Sequence, residues 1–127
     1  MTVSNVISMD ERIGKTGSRT PPVRDRRYAI RYPFAADVVL LDLETGSRIE
    51  GVTSDLSLGG CFVCCSKSLP ARTRARITLT RREQVVEALA VVRIVKPRVG
   101  MGIEFIDVTE SCQTVLMRWL EQVRRNR

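Results

Sequence analysis

From residue 34 onward the chain alternates apolar and polar positions in short runs. Segment 34–43 is rich in valine and leucine and stops at Glu44-Thr45-Gly46-Ser47, a turn signal, after which 48–53 returns as a second strand. Gly59-Gly60 leads into Cys61-Phe62-Val63-Cys64-Cys65, a short third strand, and Leu69-Pro70-Ala71 breaks the chain again. Over 74–80 basic or hydroxylic residues alternate with apolar ones, the period of a strand with one wet face. A long run at 84–95, interrupted by Glu87 and Arg93, predicts a fifth strand. Pro97 and Gly100 bracket the next turn, and 101–106 predicts a sixth. Six short strands at this spacing, with no helical period between them, argue for an antiparallel barrel or sandwich.

The period then changes. Cys112, Val115, Leu116, Trp119, Leu120 and Val123 form one stripe of an α-helix, and that stripe is expected to pack on the barrel. Asp107 followed by Glu110 reads as a capping box, with Thr109 as a competing N-cap. Arg124, Arg125 and Arg127 lie at the far end, where positive charge suits the helix dipole.

Before the strands, residues 1–23 carry Ser, Thr, Gly, Pro and mixed charge without a sustained period, and Pro21-Pro22 closes the stretch. The expected organisation is a flexible N-terminal tail over 1–23 and one β-barrel domain over 24–127, since 127 residues leave little room for a second core. No apolar run approaches the roughly 20 residues of a membrane helix, and no secretory signal opens the chain, so a cytoplasmic protein is expected.

Charge narrows the chemistry. The net charge is +7, and lysine supplies only Lys15, Lys67 and Lys96; the remaining basic residues are arginine. Arginine presents a planar fork of donors that fits phosphates and purine edges in pairs, so the bias suits a flat anionic ligand. There is no histidine, which removes the commonest general base and the commonest metal ligand together. No base–nucleophile constellation remains, and an enzyme is not expected. Cys61 and Cys64 have the spacing of a metal knuckle, with Cys65 and Cys112 nearby. A strand through Phe62 and Val63 would point Cys61 and Cys64 to opposite faces, so buried small hydrophobes are the better reading than zinc or a disulfide.

Two motifs carry candidate chemistry. Arg26-Arg27-Tyr28-Ala29-Ile30-Arg31 contains RxxxR, ended by Arg27 and Arg31, and Pro33 makes an extended path the natural one. On an extended chain both arginines lie on one side and form a clamp for a dianion or for guanine O6 and N7. Asp55-Leu56-Ser57-Leu58-Gly59-Gly60 contains DxSxxG. Asp55 is an acceptor-only carboxylate, complementary to the donor-only N1–H and N2–H₂ of guanine. Ser57, two positions on, would face the same way, and Gly59-Gly60 would let the backbone take positive φ and approach a ligand closely. The alternative is a turn in which Asp55 and Ser57 cap their own backbone at a β-corner. Both can hold at once.

Together the motifs resemble the signature of the PilZ domain, a bacterial receptor for cyclic di-GMP. The likeness covers about residues 24 to 125. It runs on through Ala90-Val91-Val92-Arg93-Ile94-Val95 and Gly100-Met101-Gly102-Ile103-Glu104-Phe105, which look like the family's late strands, and into its C-terminal helix. The resemblance implies a mainly β fold, a six-stranded antiparallel barrel with a C-terminal helix. It implies that Arg27 and Arg31 take guanine edges and phosphates, that Asp55 and Ser57 complete the polar contacts, and that Gly60 shapes the turn. Arg26 stands where the family's ligand stoichiometry is set, and an arginine there is compatible with a stacked ligand dimer. It further implies a non-catalytic receptor without cofactor, whose ligand-altered surface a downstream protein recognises. One rival is a PilZ-like adaptor that binds protein and no nucleotide. The other is a basic barrel for single-stranded nucleic acid, which the scarcity of aromatics (Tyr28, Tyr32, Phe34, Phe62, Phe105, Trp119) disfavours.

Overall fold

The computed structural model describes residues 30–126, so the tail expected over 1–23 lies outside the described residues. Within them the order is β1 (Tyr32–Pro33), β2 (Asp37–Asp42), β3 (Arg48–Leu56), β4 (Gly60–Cys64), β5 (Arg74–Arg81), β6 (Gln84–Lys96), β7 (Gly100–Val108) and α1 (Glu110–Arg125). Strands β3-β2-β5-β6-β7-β4 pair antiparallel in that order, and a β3–β4 pairing closes the ring. This is the six-stranded barrel that the alternating runs predict. Closure leaves no free sheet edge among these six strands.

The two-residue β1 is an addition that the residue pattern did not predict. It pairs with the far end of β3, Tyr32 opposite Leu56 and Pro33 opposite Asp55, on the side of β3 that β2 uses lower down. The chain bends between β1 and β2, which is why the strand expected from residue 34 begins at Asp37. Buried Thr53 fills the gap in the ladder: its hydroxyl accepts from Ala36 N–H at 2.9 Å and donates to the Phe34 carbonyl. Backbone groups at the bend are thereby satisfied without water.

The barrel interior is apolar. Leu40, Leu56, Ile77, Leu79, Val92 and Met101 are fully enclosed, each contributing about 1.5–3 kcal/mol of burial free energy. Helix α1 covers this core with the predicted stripe: Leu116, Trp119 and Leu120 are buried, with Cys112, Val115 and Val123 partly so. Trp119 anchors it. Its ring lies 5.2 Å from that of Phe34, and its Nε1–H donates to Gln84 Oε1 at 2.9 Å. The N-cap is Thr109, whose hydroxyl accepts from Cys112 N–H at 3.3 Å. Asp107 is not the cap, because β7 runs on through it and pairs it with Leu89. No helix among the described residues is long and apolar enough to cross a membrane.

The β2–β3 turn is held by Asp42, whose Oδ1 accepts from Glu44 N–H at 2.8 Å and Thr45 N–H at 3.3 Å. These donors, Glu44 N–H foremost, hold its carboxyl below the usual carboxylate range. A depressed native pKa stabilises the fold above the unfolded value of about 3.9 and is lost as pH falls through the native one. Asp42→Ala is therefore expected to melt below the wild type at neutral pH. The gap should narrow as the solution is acidified from about pH 3.9 downward, as read by thermal denaturation across the pH series.

Candidate functional site

The site begins with a counting irregularity in β3. Along this strand Thr53 points into the core while Val52 is exposed. Strict alternation would send Asp55 inward too. The β3–β4 register slips between Thr53 and Asp55, so Ser54 is an extra residue with no partner of its own. A bulge shifts the alternation by one. Asp55 therefore comes out to the surface, and Leu56 goes fully into the core.

Arg31 meets Asp55 there. With Pro33 opposite Asp55, Arg31 is the diagonal neighbour on the same face, within reach of a long side chain. Its Nη1 lies 2.6 Å from Asp55 Oδ1, with the two side chains 48% and 31% exposed. A pair this open to solvent is worth at most about 1 kcal/mol to the fold. The same Oδ1 accepts from the Phe62 N–H at 3.2 Å, so the main chain of β4 fixes the carboxylate's orientation. Sequence reading missed Phe62 as an anchor, since only the register of β4 against β3 brings it beside Asp55.

Ser57 is placed differently from expectation. It is 1% exposed and does not share a side with Asp55, because β3 ends at Leu56 and the chain turns. Its hydroxyl accepts from Gly59 N–H and Gly60 N–H, each at 3.1 Å, and donates to the Gly60 carbonyl at 3.2 Å. Ser57 N–H also donates to that carbonyl at 2.8 Å. The serine thus ties the turn shut from inside, as a side chain that competes with regular ladders does.

Gly60 is needed for space and not for positive φ, which among the described glycines belongs to Gly46. A Cβ on Gly60 would come within 2.0 Å of the Ile103 carbonyl oxygen, where β4 docks on β7. Arg26 and Arg27 lie outside the described residues.

The cysteines do not converge. Cys61 is fully buried and Cys64 is exposed, on opposite faces of β4 as the strand period requires. Burial pushes the Cys61 thiol far above its ordinary pKa. Cys112 accepts from Glu87 N–H at 3.4 Å on the helix side. Among the described residues no group of three or more His, Cys, Asp or Glu is placed to hold a metal ion.

The family model for the PilZ domain matches residues 25–122. The chain belongs to the PilZ domain family. Solved structures similar to this PilZ domain include the PilZ domain of CeSA from a cellulose-synthesizing bacterium, 24% identical with a TM-score of 0.57, covering 70% of this chain and 92% of that one. The Bacillus subtilis inhibitor of motility MotI/DgrA is 20% identical with a TM-score of 0.64, covering 77% of this chain and 50% of its own. The PilZ domain of YcgR from Escherichia coli, solved with c-di-GMP, is 16% identical with a TM-score of 0.61, covering 76% and 90%. At these identities the likeness establishes the shared fold. A search of curated proteins by sequence returns no match.

Proposed function

We propose that this PilZ domain is a bacterial, cytoplasmic receptor for cyclic di-GMP that signals to a downstream protein and catalyses nothing. One observation carries the reading: the Arg31 fork and the Asp55 carboxylate stand side by side on the outer face of the barrel, within the two motifs. Their chemistry matches guanine. Arg31 donates to O6 and N7 of one base or to a phosphate, and Asp55 accepts from the N1–H and N2–H₂ edge. The PilZ domain of YcgR was solved with this ligand. Ser57 and Gly60 act here as positioning residues, since they hold the turn that follows Asp55. Arg26 and Arg27 complete the arginine segment, and ligand binding orders it into a surface that the partner reads. Fixing each such residue costs about 1–2 kcal/mol, so affinity must come from several charge-assisted contacts at once.

Calorimetric titration with cyclic di-GMP, against GTP and cyclic di-AMP, tests this. Selective binding is the expected result, with two ligands per chain if Arg26 engages a stacked dimer. Saturation at one ligand refutes that role of Arg26. No binding by the folded protein would leave the adaptor reading in its place.

A further inference from the structure

The barrel end away from α1 gathers the last residues of β2, β4 and β6 and the first of β5 and β7. Segment 65–73 crosses it. Leu69 plugs the mouth, buried, with its N–H donating to Met101 Sδ at 3.3 Å. Backbone bonds stitch the rim into one platform. Leu43 N–H donates to the Arg74 carbonyl at 3.1 Å, Arg72 N–H to that of Val92 at 2.7 Å, and Cys65 N–H to that of Val99 at 3.2 Å.

Charge is spread unevenly over the domain. Lys67, Arg72, Arg74, Lys96 and Arg98 are all exposed at this end, and among the described residues no carboxylate pairs with any of them. The acids in the segments that build it, 42–47, 65–74 and 96–100, are Asp42, buried in its turn, and Glu44. The helix end is balanced: Arg82 stands beside Glu83, and Glu121 holds Arg124 and Arg125. Two of the exposed cations also sit in strained turns. Arg72 and Arg98 have φ of 76° and 63°, the left-handed region, where turns favour glycine or asparagine. Turn geometry calls for neither arginine; what each adds is a charge held out at the rim. Arg82 and Glu83 share this conformation at the opposite hairpin, but their charges cancel. Two aliphatic tips project beside the cations, Leu43 at 47% and Val99 at 56% exposed.

We propose that this end of the barrel docks on an anionic lipid bilayer, its cations against headgroup phosphates and Leu43 and Val99 entering the acyl boundary. Peripheral binding combines these two effects, and each cation near such a surface adds roughly fivefold in affinity. A single-stranded nucleic acid would satisfy the charge but needs aromatic faces for its bases, and the tips here are aliphatic. Arg31 and Asp55 stand at the far end of β3, so docking leaves them clear of the bilayer.

Co-sedimentation of the full chain with vesicles tests this. Vesicles of equal parts phosphatidylglycerol and phosphatidylcholine should bind it, pure phosphatidylcholine should not, and added salt should release it. Arg72→Gly with Arg98→Gly removes two charges while relieving both left-handed residues, so the fold should be kept and affinity should fall about thirtyfold. Arg82→Gly with Arg118→Ala removes the same charge from the helix end and should leave binding nearly unchanged. Leu43→Ser with Val99→Ser keeps every charge and should also weaken binding. The proposal is overturned by a wild type that ignores the anionic vesicles, by equal losses from the two arginine pairs, or by serine variants that bind as the wild type does. Binding to a single-stranded oligonucleotide and not to vesicles would make this a nucleic-acid surface and overturn it equally.

Discussion

Arg31→Ala is expected to weaken cyclic di-GMP binding by one to two orders of magnitude while the domain stays folded. The loss follows from the fork: a bidentate arginine–guanine contact is worth about 1–3 kcal/mol, and the other group against Asp55, the Phe62 main-chain N–H, cannot replace a guanidinium. Stability should change little, because the Arg31–Asp55 pair is exposed and worth at most about 1 kcal/mol, and the backbone pairing of β1 with β3 does not use the side chain. Arg31→Lys separates charge from geometry. Lysine keeps the charge without the planar fork, so it should bind nearly as poorly as alanine. Titration of both variants, alongside their melting curves, checks the assignment. Wild-type affinity in Arg31→Ala would remove Arg31 from the site.

Gly60→Ala should act by the opposite route. The added methyl carbon would lie 2.0 Å from Ile103 O, 3.1 Å from Ile103 C and 3.2 Å from Glu104 Cα, all of them main-chain atoms that cannot swing away. Relief requires β4 to part from β7, which would open the closed ring at that seam. It would also pull Gly60 N–H and its carbonyl off Ser57. Overpacking of this kind costs about 1–3 kcal/mol and occasionally more. We expect the upper end, a large fraction of the roughly 5–15 kcal/mol that holds such a domain together. Urea denaturation should show a much lower midpoint, and the fraction that still folds should bind the ligand more weakly, because the turn that follows Asp55 is displaced. A wild-type midpoint would mean that β4 and β7 can separate locally without cost.

The contrast shows where sequence reading reaches and where it stops. The strands at 74–80 and 84–95 and the helix stripe from Cys112 to Val123 were legible because their period is local: each residue's face depends on near neighbours. The motifs marked the candidate site for the same reason, as short strings of particular side chains. What they could not tell is which way those side chains point. Asp55 faces out because of an extra residue against β4, Ser57 faces in because the strand has ended, and Gly60 is required by a carbonyl more than forty positions away. β1 likewise exists only as a partner of β3. These are properties of pairing between distant segments, and no window of sequence contains both halves.

The bulge at Ser54 opens the strand to a kind of genetic change that point substitution does not sample. Ser54 is exposed, and replacing it with another residue touches neither the core nor the carboxylate. Losing its codon in frame would remove the extra residue and nothing else from the ladder with β4. Thr53 inward, Asp55 outward and Leu56 inward would then follow strict alternation, opposite Val63, Phe62 and Cys61 as they already stand. The facing of the carboxylate would survive a deletion inside a barrel strand, a change that ordinarily turns every following side chain over.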